Sequence, residues 1–503
     1  MSTAQITVDP GFVVGPVRRR TFGSFVEHLG RCVYTGIHEP GHPTADENGF
    51  RTDVLDLVRE LGVGTVRYPG GNFVSGYRWE DGVGPVDQRP RRLDLAWHST
   101  EPNTFGVDEF MAWCAKAGIE PMMAVNLGTR GIAEALDLLE YCTIAGGTAL
   151  SDARRANGAA DPYPVTMWCL GNEMDGPWQI GHKTATEYGR LAAEVARAMR
   201  MVQPDLELVA CGSSGTAMPT FGEWEREVLT ETYDLVDLIS AHAYYCEEDG
   251  DSASFLASAV NMDAFITGVS ATADAVGTAR KSAKQIHISF DEWNVWYQQR
   301  VESKVPEGDD WPVAPNLLED RYNVADAVVV GNLLISLLRH TDRVHSASLA
   351  QLVNVIAPIM TEPGGPAWRQ TTFHPFALTS RHARGEVLRV PVRSESYATA
   401  KFGDVPVVDA VATHDADAGE VAVFLVNRSI AEPSPVEIDL RAFGGIELVE
   451  AVVLSNPDHT WHATASDSTS VAPRPLDGAG IDAGRLSLVL PPVSWAMVRL
   501  RTA

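Results

Sequence analysis

No two cysteines in this chain form a C-x-x-C pair. The six present, Cys32, Cys114, Cys142, Cys169, Cys211 and Cys246, are far apart, and several sit inside apolar runs such as "LLEYCTIAG". That spacing excludes a disulfide scaffold and a thiolate metal ribbon and leaves reduced core thiols. Also missing is an uninterrupted apolar run of the roughly 18 residues that a membrane span needs. The opening "MSTAQITVDP" carries neither a basic stretch nor the apolar core of an export signal, so a cytoplasmic location is expected. Positive charge is scarce: 40 Lys and Arg stand against 66 Asp and Glu, a formal net charge of −26. Such a surface repels phosphate backbones and anionic lipid, which argues against nucleic-acid and membrane partners. Apolar residues are plentiful, at 45% with 21% charged, enough for a sizeable buried core. At 503 residues the chain has room for about two domains.

From about residue 22 to residue 384, apolar runs ending in small or polar residues alternate with segments of helical period. The runs are "FGSFVEHLG" (22–30), "VGTVRYPGG" (63–71), "EPMMAVNLG" (120–128), "VTMWCLGNE" (165–173), "ELVACGSS" (207–214), "LISAHAYY" (238–245), "IHISFDEWN" (286–294) and "SASLAQLVNV" (346–355). Between them lie runs such as 50–62, 108–118, 184–202 and 323–340, each spaced to bury one face. Eight such units predict an α/β fold, a (β/α)8 TIM barrel over residues 18–385 with its site at the C-terminal ends of the strands. Beyond residue 386 the period changes to alternation, as in "GEVAVFLVNRS" (419–429) and "RLSLVLPPVSWAMVRL" (485–500), which predicts a C-terminal antiparallel β-sandwich, jelly-roll-like, over 386–503. Residues 465–484, rich in Pro, Gly, Ser and Asp, read as an exposed loop within it. Residues 1–17 hold two short strands around Asp9-Pro10-Gly11 and are expected to join the sandwich.

Nearly every predicted strand ends on a polar residue: Glu27, Arg67, Asn72, Asn126, Asn172, Glu173, His242, Tyr244, Glu292 and Gln351. A barrel gathers these ends at one mouth, so Glu173 and Glu292 can face each other across a small cavity. Two carboxyls about 5–5.5 Å apart suit a retaining glycosidase, whereas about 6.5–9.5 Å leaves room for water and inversion. The proton donor should be held protonated by burial and by its partner's charge, and the nucleophile kept ionised by donors such as Arg67 and Tyr244. His242 and Tyr244, two apart in a strand, share a face.

The stretches "WCLGNEMDGPWQIGHK" (168–183), "ISFDEWNVWY" (288–297), "RYPGGNFVSGYRWEDGVGP" (67–85) and "QLVNVIAPIMTEPGGPAWRQ" (351–370) together resemble glycoside hydrolase family 51, the intracellular α-L-arabinofuranosidases, along the whole chain. The resemblance implies Glu173 as general acid/base and Glu292 as nucleophile. It implies Asn172 at the sugar 2-hydroxyl, and Glu27, Arg67, Asn72, His242, Tyr244 and Gln351 lining the arabinose pocket or orienting the nucleophile. It further implies a retaining, exo-acting enzyme for arabino- and arabinoxylo-oligosaccharides, with no cofactor, assembled as a homohexamer. One departure is "TTFHPF" (371–376), where tyrosine is expected at His374.

Blander readings stand beside these. A single Glu at a strand end is more often a loop anchor or helix cap. Arg67 can form a structural ion pair with Glu27 or Asp291, and Asn72 can cap a turn. Trp97, Trp178 and Trp296 are candidates for stacking on sugar or for plain packing. "HEPGH" (38–42) spells the zinc pattern H-E-x-x-H, but Pro40 and Gly41 forbid the helix it requires, so no metal site is expected there. "GVGTVR" (62–67), "CGSSG" (211–215) and "NRS" (427–429) fail as a dinucleotide fingerprint, a nucleophile elbow and a relevant sequon. The rivals are another retaining glycosidase of the same clan (β-xylosidase or endoglucanase), a metal-dependent barrel hydrolase or isomerase, and a non-catalytic carbohydrate-binding barrel.

Overall fold

The computed structural model describes residues 2–298 and 304–502. Eight parallel strands close into a barrel: Gly23–Phe25, Thr65–Tyr68, Glu120–Ala124, Met167–Leu170, Glu207–Ala210, Leu238–Tyr245, His287–Val295 and Val344–Leu349. The first six lie within the apolar runs and the last two overlap theirs, His287–Val295 ending past the run 286–294 and Val344–Leu349 starting before the run 346–355; strands covered on both faces read as continuous hydrophobic stretches. The first, second and fourth are only three or four residues long. The remainder of each run leaves the sheet as a loop at the barrel mouth, which is where the polar ends of those runs go.

The helices Thr52–Leu61, Val107–Ala117, Ala185–Val202 and Val324–Arg339 fall on the four quoted helical runs. At the start of Ala185–Val202, Thr184 and Glu187 cap each other: the Glu187 N–H donates to Thr184 Oγ1 at 3.3 Å and the Thr184 N–H donates to Glu187 Oε2 at 3.1 Å. Val324–Arg339 departs from the one-faced expectation. From Asp326 through Leu338 every side chain is buried, because the sandwich covers the face that an outer barrel helix would show to water.

The C-terminal region is two packed sheets, of five and seven strands. The N-terminal strands contribute one to each: Ala4–Thr7 lies between Val392–Arg393 and Ser434–Asp439, and Val13–Pro16 pairs with Glu386–Leu388. The pairing of Ala4–Thr7 with Ser434–Asp439 is parallel, so the sandwich is not wholly antiparallel. The 465–484 segment also differs from a plain loop. Short edge strands, Arg474–Pro475 and Gly480–Asp482, pair into the two sheets, and Val471 and Leu476 are buried, anchoring a sequence whose composition signals only turns.

A buried polar network joins barrel to sandwich. Arg339 donates to Asp263 Oδ2 at 2.7 Å and also pairs with Asp409, which accepts from Arg428 Nη2 at 2.7 Å and from Asn332 Nδ2 at 2.9 Å. Burial would push the Asp409 carboxyl up, but Arg339 and Arg428 hold it below the usual carboxylate range. In the same helix, a Cβ on Gly331 would lie 2.2 Å from Trp495 Cδ1. Helix propensity alone favours alanine over glycine by about 1 kcal/mol, while overpacking a core costs about 1–3 kcal/mol. The contact decides the sign. Gly331→Ala is therefore expected to lower stability by about 1–2 kcal/mol, read as a lower urea midpoint; a midpoint at or above the parent's would show that Trp495 moves aside freely.

Candidate active site

Glu27 follows the first barrel strand, Arg67 lies in the second, Glu173 follows the fourth, His242 and Tyr244 lie in the sixth, Glu292 in the seventh, and Gln351 follows the eighth. Their ends meet at a cavity of about 400 Å³ lined by Glu27, Asn72, Trp97, Glu173, Trp178, Tyr244, Glu292, Trp296 and Gln351. That size lies in the usual range for small-molecule sites. Arg67, Asn172 and His242 stand behind this lining. A cavity of about 430 Å³ between residues 316–321 and the sandwich loop 463–465 is slightly larger, but it holds none of these groups.

Both carboxylates are fixed at both oxygens. Glu292 accepts from Arg67 Nη1 at Oε1 and from Tyr244 Oη at Oε2, each at 2.7 Å. Burial and the neighbouring charges of Glu292 and Glu173 push the Tyr244 phenol far up, so it keeps the proton it donates. Glu173 meets His242 Nδ1 at 2.8 Å and accepts from Trp178 Nε1 at 2.7 Å. One oxygen of Glu173 lies within 4.8 Å of one oxygen of Glu292. Glu173 also has a positive φ of 43°, rare for a residue with a Cβ, and this turn carries its side chain back over the barrel mouth.

His242 bridges the two acids' surroundings. Its Nε2 is 2.9 Å from Asp291 Oδ1, and its Nδ1 is 3.6 Å from Glu292 Oε2. Burial alone would lower its pKa, but the charge of Glu292 and the hydrogen bonds to Asp291 and Glu173 outweigh burial and raise it well above the ordinary imidazole value. Each ring nitrogen thus faces a carboxylate oxygen. Arg67, wholly buried, also donates to Asn172 Oδ1 at 2.6 Å and stacks on Phe25 with 4.9 Å to the ring centroid. Asn172 in turn contacts Asn72 Oδ1 at 3.3 Å.

Glu27 forms the other wall. It accepts from the Phe73 N–H at 2.9 Å, Trp97 Nε1 at 2.8 Å and Gln351 Nε2 at 3.0 Å. Burial pushes its carboxyl up to about 8, with the Phe73 and Trp97 donors opposing and the charge of Glu292 adding. Gly70 and Gly71 make this crowding possible. A Cβ at Gly70, where φ is 151°, would meet Glu27 Cγ at 2.6 Å, and one at Gly71 would lie 3.1 Å from Glu292 Oε1. Only glycine lets the backbone pass this close to both acids.

Of the strand-end residues, Asn126 alone is not drawn in. Its amide anchors a loop, donating to the Tyr77 carbonyl and accepting from the Gly128 and Thr129 N–H groups. Trp97, Trp178 and Trp296 all line the cavity: Trp97 and Trp178 donate their indole N–H groups to Glu27 and Glu173, while Trp296 packs edge-on against Tyr244 at 5.1 Å. "HEPGH" is an irregular turn in which His42 contacts Thr44 Oγ1 and the Gly365 carbonyl. His374 opens the helix Phe373–His382, outside the cavity lining.

The residue that sequence reasoning underrated is Asp291. Adjacent residues in a strand face opposite ways, so Asp291 and Glu292 should not share a site. A register shift resolves this: Ser289 pairs with Ser240 and Glu292 with His242, so three steps on the seventh strand match two on the sixth. The bulge brings both carboxylates to the buried mouth. Glu173, His242 and Glu292 also have metal-ligand spacing, with one atom from each within 4.8 Å, but both His242 nitrogens are already engaged by carboxylates, so the set is an internally compensated ion-pair cluster.

Comparison with known proteins agrees with this geometry. Profiles described as the alpha-L-arabinofuranosidase 1 domain and the alpha-L-arabinofuranosidase C-terminal domain match residues 57–263 and 291–494. An intracellular exo-alpha-(1->5)-L-arabinofuranosidase of Streptomyces lividans is 61% identical, the match covering 99% of this chain and 75% of that protein. An exo-alpha-(1->6)-L-arabinofuranosidase of Bifidobacterium longum is 57% identical, covering 100% of this chain and 98% of that one. The solved structure of a family 51 alpha-L-arabinofuranosidase from Bifidobacterium longum superposes with a TM-score of 0.95 at 51% identity, covering 99% and 100% of the two chains. An arabinofuranosidase from Thermotoga maritima in complex with arabinose superposes at 0.87 with 35% identity, covering 99% of each chain. A relative this similar along nearly the whole chain, on the same closed barrel with two opposed glutamates, leaves one assignment: the chain belongs to the α-L-arabinofuranosidases of glycoside hydrolase family 51.

Proposed function

We propose that the chain is a retaining, exo-acting α-L-arabinofuranosidase that removes terminal arabinofuranosyl groups from arabino- and arabinoxylo-oligosaccharides. The observation that carries the reading is the pair of opposed carboxylates, with one oxygen of each within 4.8 Å. That gap suits a sugar carbon attacked from one side and protonated at its leaving oxygen from the other, and it is too narrow for the water an inverting enzyme interposes. In the first half-reaction Glu292, oriented by Arg67 and Tyr244, bonds to the anomeric carbon. The bond to the leaving oxygen breaks, and that oxygen takes a proton from Glu173. In the second, water attacks the anomeric carbon, gives its proton to Glu173 and frees Glu292. Asn172 and Asn72 offer amides to sugar hydroxyls, and Glu27 accepts or shares a hydroxyl proton at the far wall.

Relatives at 61% and 57% identity carry names for (1→5) and (1→6) linkages. Identity at this level therefore accompanies either bond. The intracellular names of the relatives support a cytoplasmic site of action for imported oligosaccharides; no helix among the described residues is long and apolar enough to cross a membrane. A homohexamer is proposed on the family resemblance, supported by large apolar residues left exposed at Phe12, Val13, Leu93 and Leu95, and sedimentation tests it.

Proton NMR of the reaction is expected to show α-arabinose as the first-formed product. Glu292→Ala should lose nearly all turnover while still binding substrate; first-formed β-arabinose would remove Glu292 from its role. A panel of nitrophenyl glycosides separates arabinofuranosidase from the xylosidase and glucanase rivals.

The loss in Glu173→Ala should depend on the leaving group. Oligosaccharides are expected to lose about 10²–10⁴-fold. Dinitrophenyl arabinofuranoside should still glycosylate the enzyme quickly, with a burst, and azide should restore turnover and give the α-arabinosyl azide. Equal loss on both substrates, without burst or azide product, would make Glu173 structural.

Prolonged EDTA treatment is expected to leave activity intact. Loss on chelation that one divalent ion restores would favour the metal-dependent rival.

A further inference from the structure

Asp291 is fully buried and absent from the cavity lining, so it reaches the chemistry only through its neighbours. Its Oδ1 accepts from His242 Nε2 at 2.9 Å. Its Oδ2 has Ser289 Oγ at 3.2 Å, Cys169 Sγ at 3.6 Å and Arg67 Nε at 4.0 Å. On the opposite edge of the ring, His242 Nδ1 lies 2.8 Å from Glu173 and 3.6 Å from Glu292. We propose that Asp291 is a positioning residue: it holds His242 as an imidazolium between the two catalytic carboxylates throughout the reaction cycle, and so keeps Glu173 in place to give up its proton in the first half-reaction and take one back in the second. The proposal rests on the retaining reading above.

In the free enzyme His242 faces Glu173 from beyond the fourth strand and Asp291 and Glu292 from the seventh. Arg67 of the second strand, Cys169 of the fourth, Cys211 after the fifth, Tyr244 of its own strand and Asp175 complete its titratable and charged surroundings. When Glu292 attacks, its carboxylate becomes an ester and its charge disappears, while the leaving oxygen departs with the proton of Glu173. The intermediate has then lost one of the anions that kept the imidazole protonated. Asp291 does not react and its charge stays. Burial would push its carboxyl up, but Arg67 and His242 hold it below the usual range, so it remains an anion. With His242 still charged, the Glu173 carboxylate stays paired and in place as it takes the proton of the attacking water and returns to its starting state while the ester bond breaks. Ring orientation depends on the same contact, because Asp291 is the partner of Nε2 that turns Nδ1 toward Glu173.

Asp291→Asn tests this in the full chain, since the amide oxygen still accepts from Nε2 and only the charge is removed. Removing an anion lowers the proton affinity of the groups beside it. Both limbs of the kcat/KM bell measured with nitrophenyl arabinofuranoside are therefore expected to move to lower pH, by about one to three units, with kcat falling more than KM rises. A bell of reduced height at the parent's position overturns the proposal and leaves the glycosidase reading intact. Failure of the glycosidase reading itself would appear separately, as no α-arabinose from the unsubstituted chain. If the variant does not fold, ¹⁵N-histidine NMR of the parent decides, with the His242 signals assigned by their loss in His242→Gln. Both ring nitrogens protonated at pH 8 supports the proposal, and a neutral tautomer at that pH overturns it.

Discussion

The site is organised by a single buried guanidinium. Arg67 holds Glu292 with one nitrogen and Asn172 with the other, rests on Phe25, and lies 4.0 Å from Asp291. Breaking a buried ion pair by removing one partner typically costs about 3–5 kcal/mol, so the nucleophile, the asparagine before the acid/base and the arginine are tied to one geometry. The same residue leaves a charge deficit. Glu27, Glu173, Asp291 and Glu292 crowd around one permanent cation. Two groups respond: burial, with the charge of Glu292 adding, pushes Glu27 up to about 8, and the charge of Glu292 with the contacts to Asp291 and Glu173 raises His242 against its own burial. Crowded carboxylates beside a single arginine thus shape the proton affinities of the pocket.

Much of this was legible in the sequence because barrel strands announce themselves as apolar runs and their polar ends mark the mouth. Glu27, Arg67, Asn172, Glu173, His242, Tyr244, Glu292 and Gln351 all arrive where that logic put them. His242 and Tyr244 show why: alternation along a regular strand sends both side chains to the same side, and they meet Glu173 and Glu292. What pattern could not supply was any place where the backbone departs from regularity. Asp291 enters the site through a bulge, which no period reveals. Glu173 swings over the mouth on a positive φ that its residue type gave no reason to expect. The indole N–H bonds of Trp97 and Trp178 were equally hidden, since the sequence says only that a large ring lies near the mouth.

The junction between barrel and sandwich teaches a related lesson. The run 323–340 has the look of an ordinary amphipathic helix, but Asn332 and Arg339 on its outer side meet Asp409 and, through it, Arg428 of the sandwich. Polar residues that would face water on an isolated barrel are here mutually satisfied, Asn332 fully buried and Arg339 half-buried. Burial of a satisfied network and exposure to solvent leave the same letters in a sequence; only the partner domain distinguishes them.

The placement of the N-terminal strands bears on how the protein is made. Ala4–Thr7 leaves the ribosome long before one of its neighbours in the sheet, Ser434–Asp439, more than 400 residues later. The sandwich therefore cannot close while the chain is growing. The barrel strands emerge in order and pair largely with sequential neighbours, whereas Ala4 and Ile6, apolar and buried in the finished molecule, have no strand partner until residues 392–439 have emerged. Long-range pairing of this kind is slow and leaves an unpaired strand edge for the whole interval. In the growing chain later residues decide the fate of earlier ones, and the unpaired strand Ala4–Thr7 is where a chaperone has most to protect.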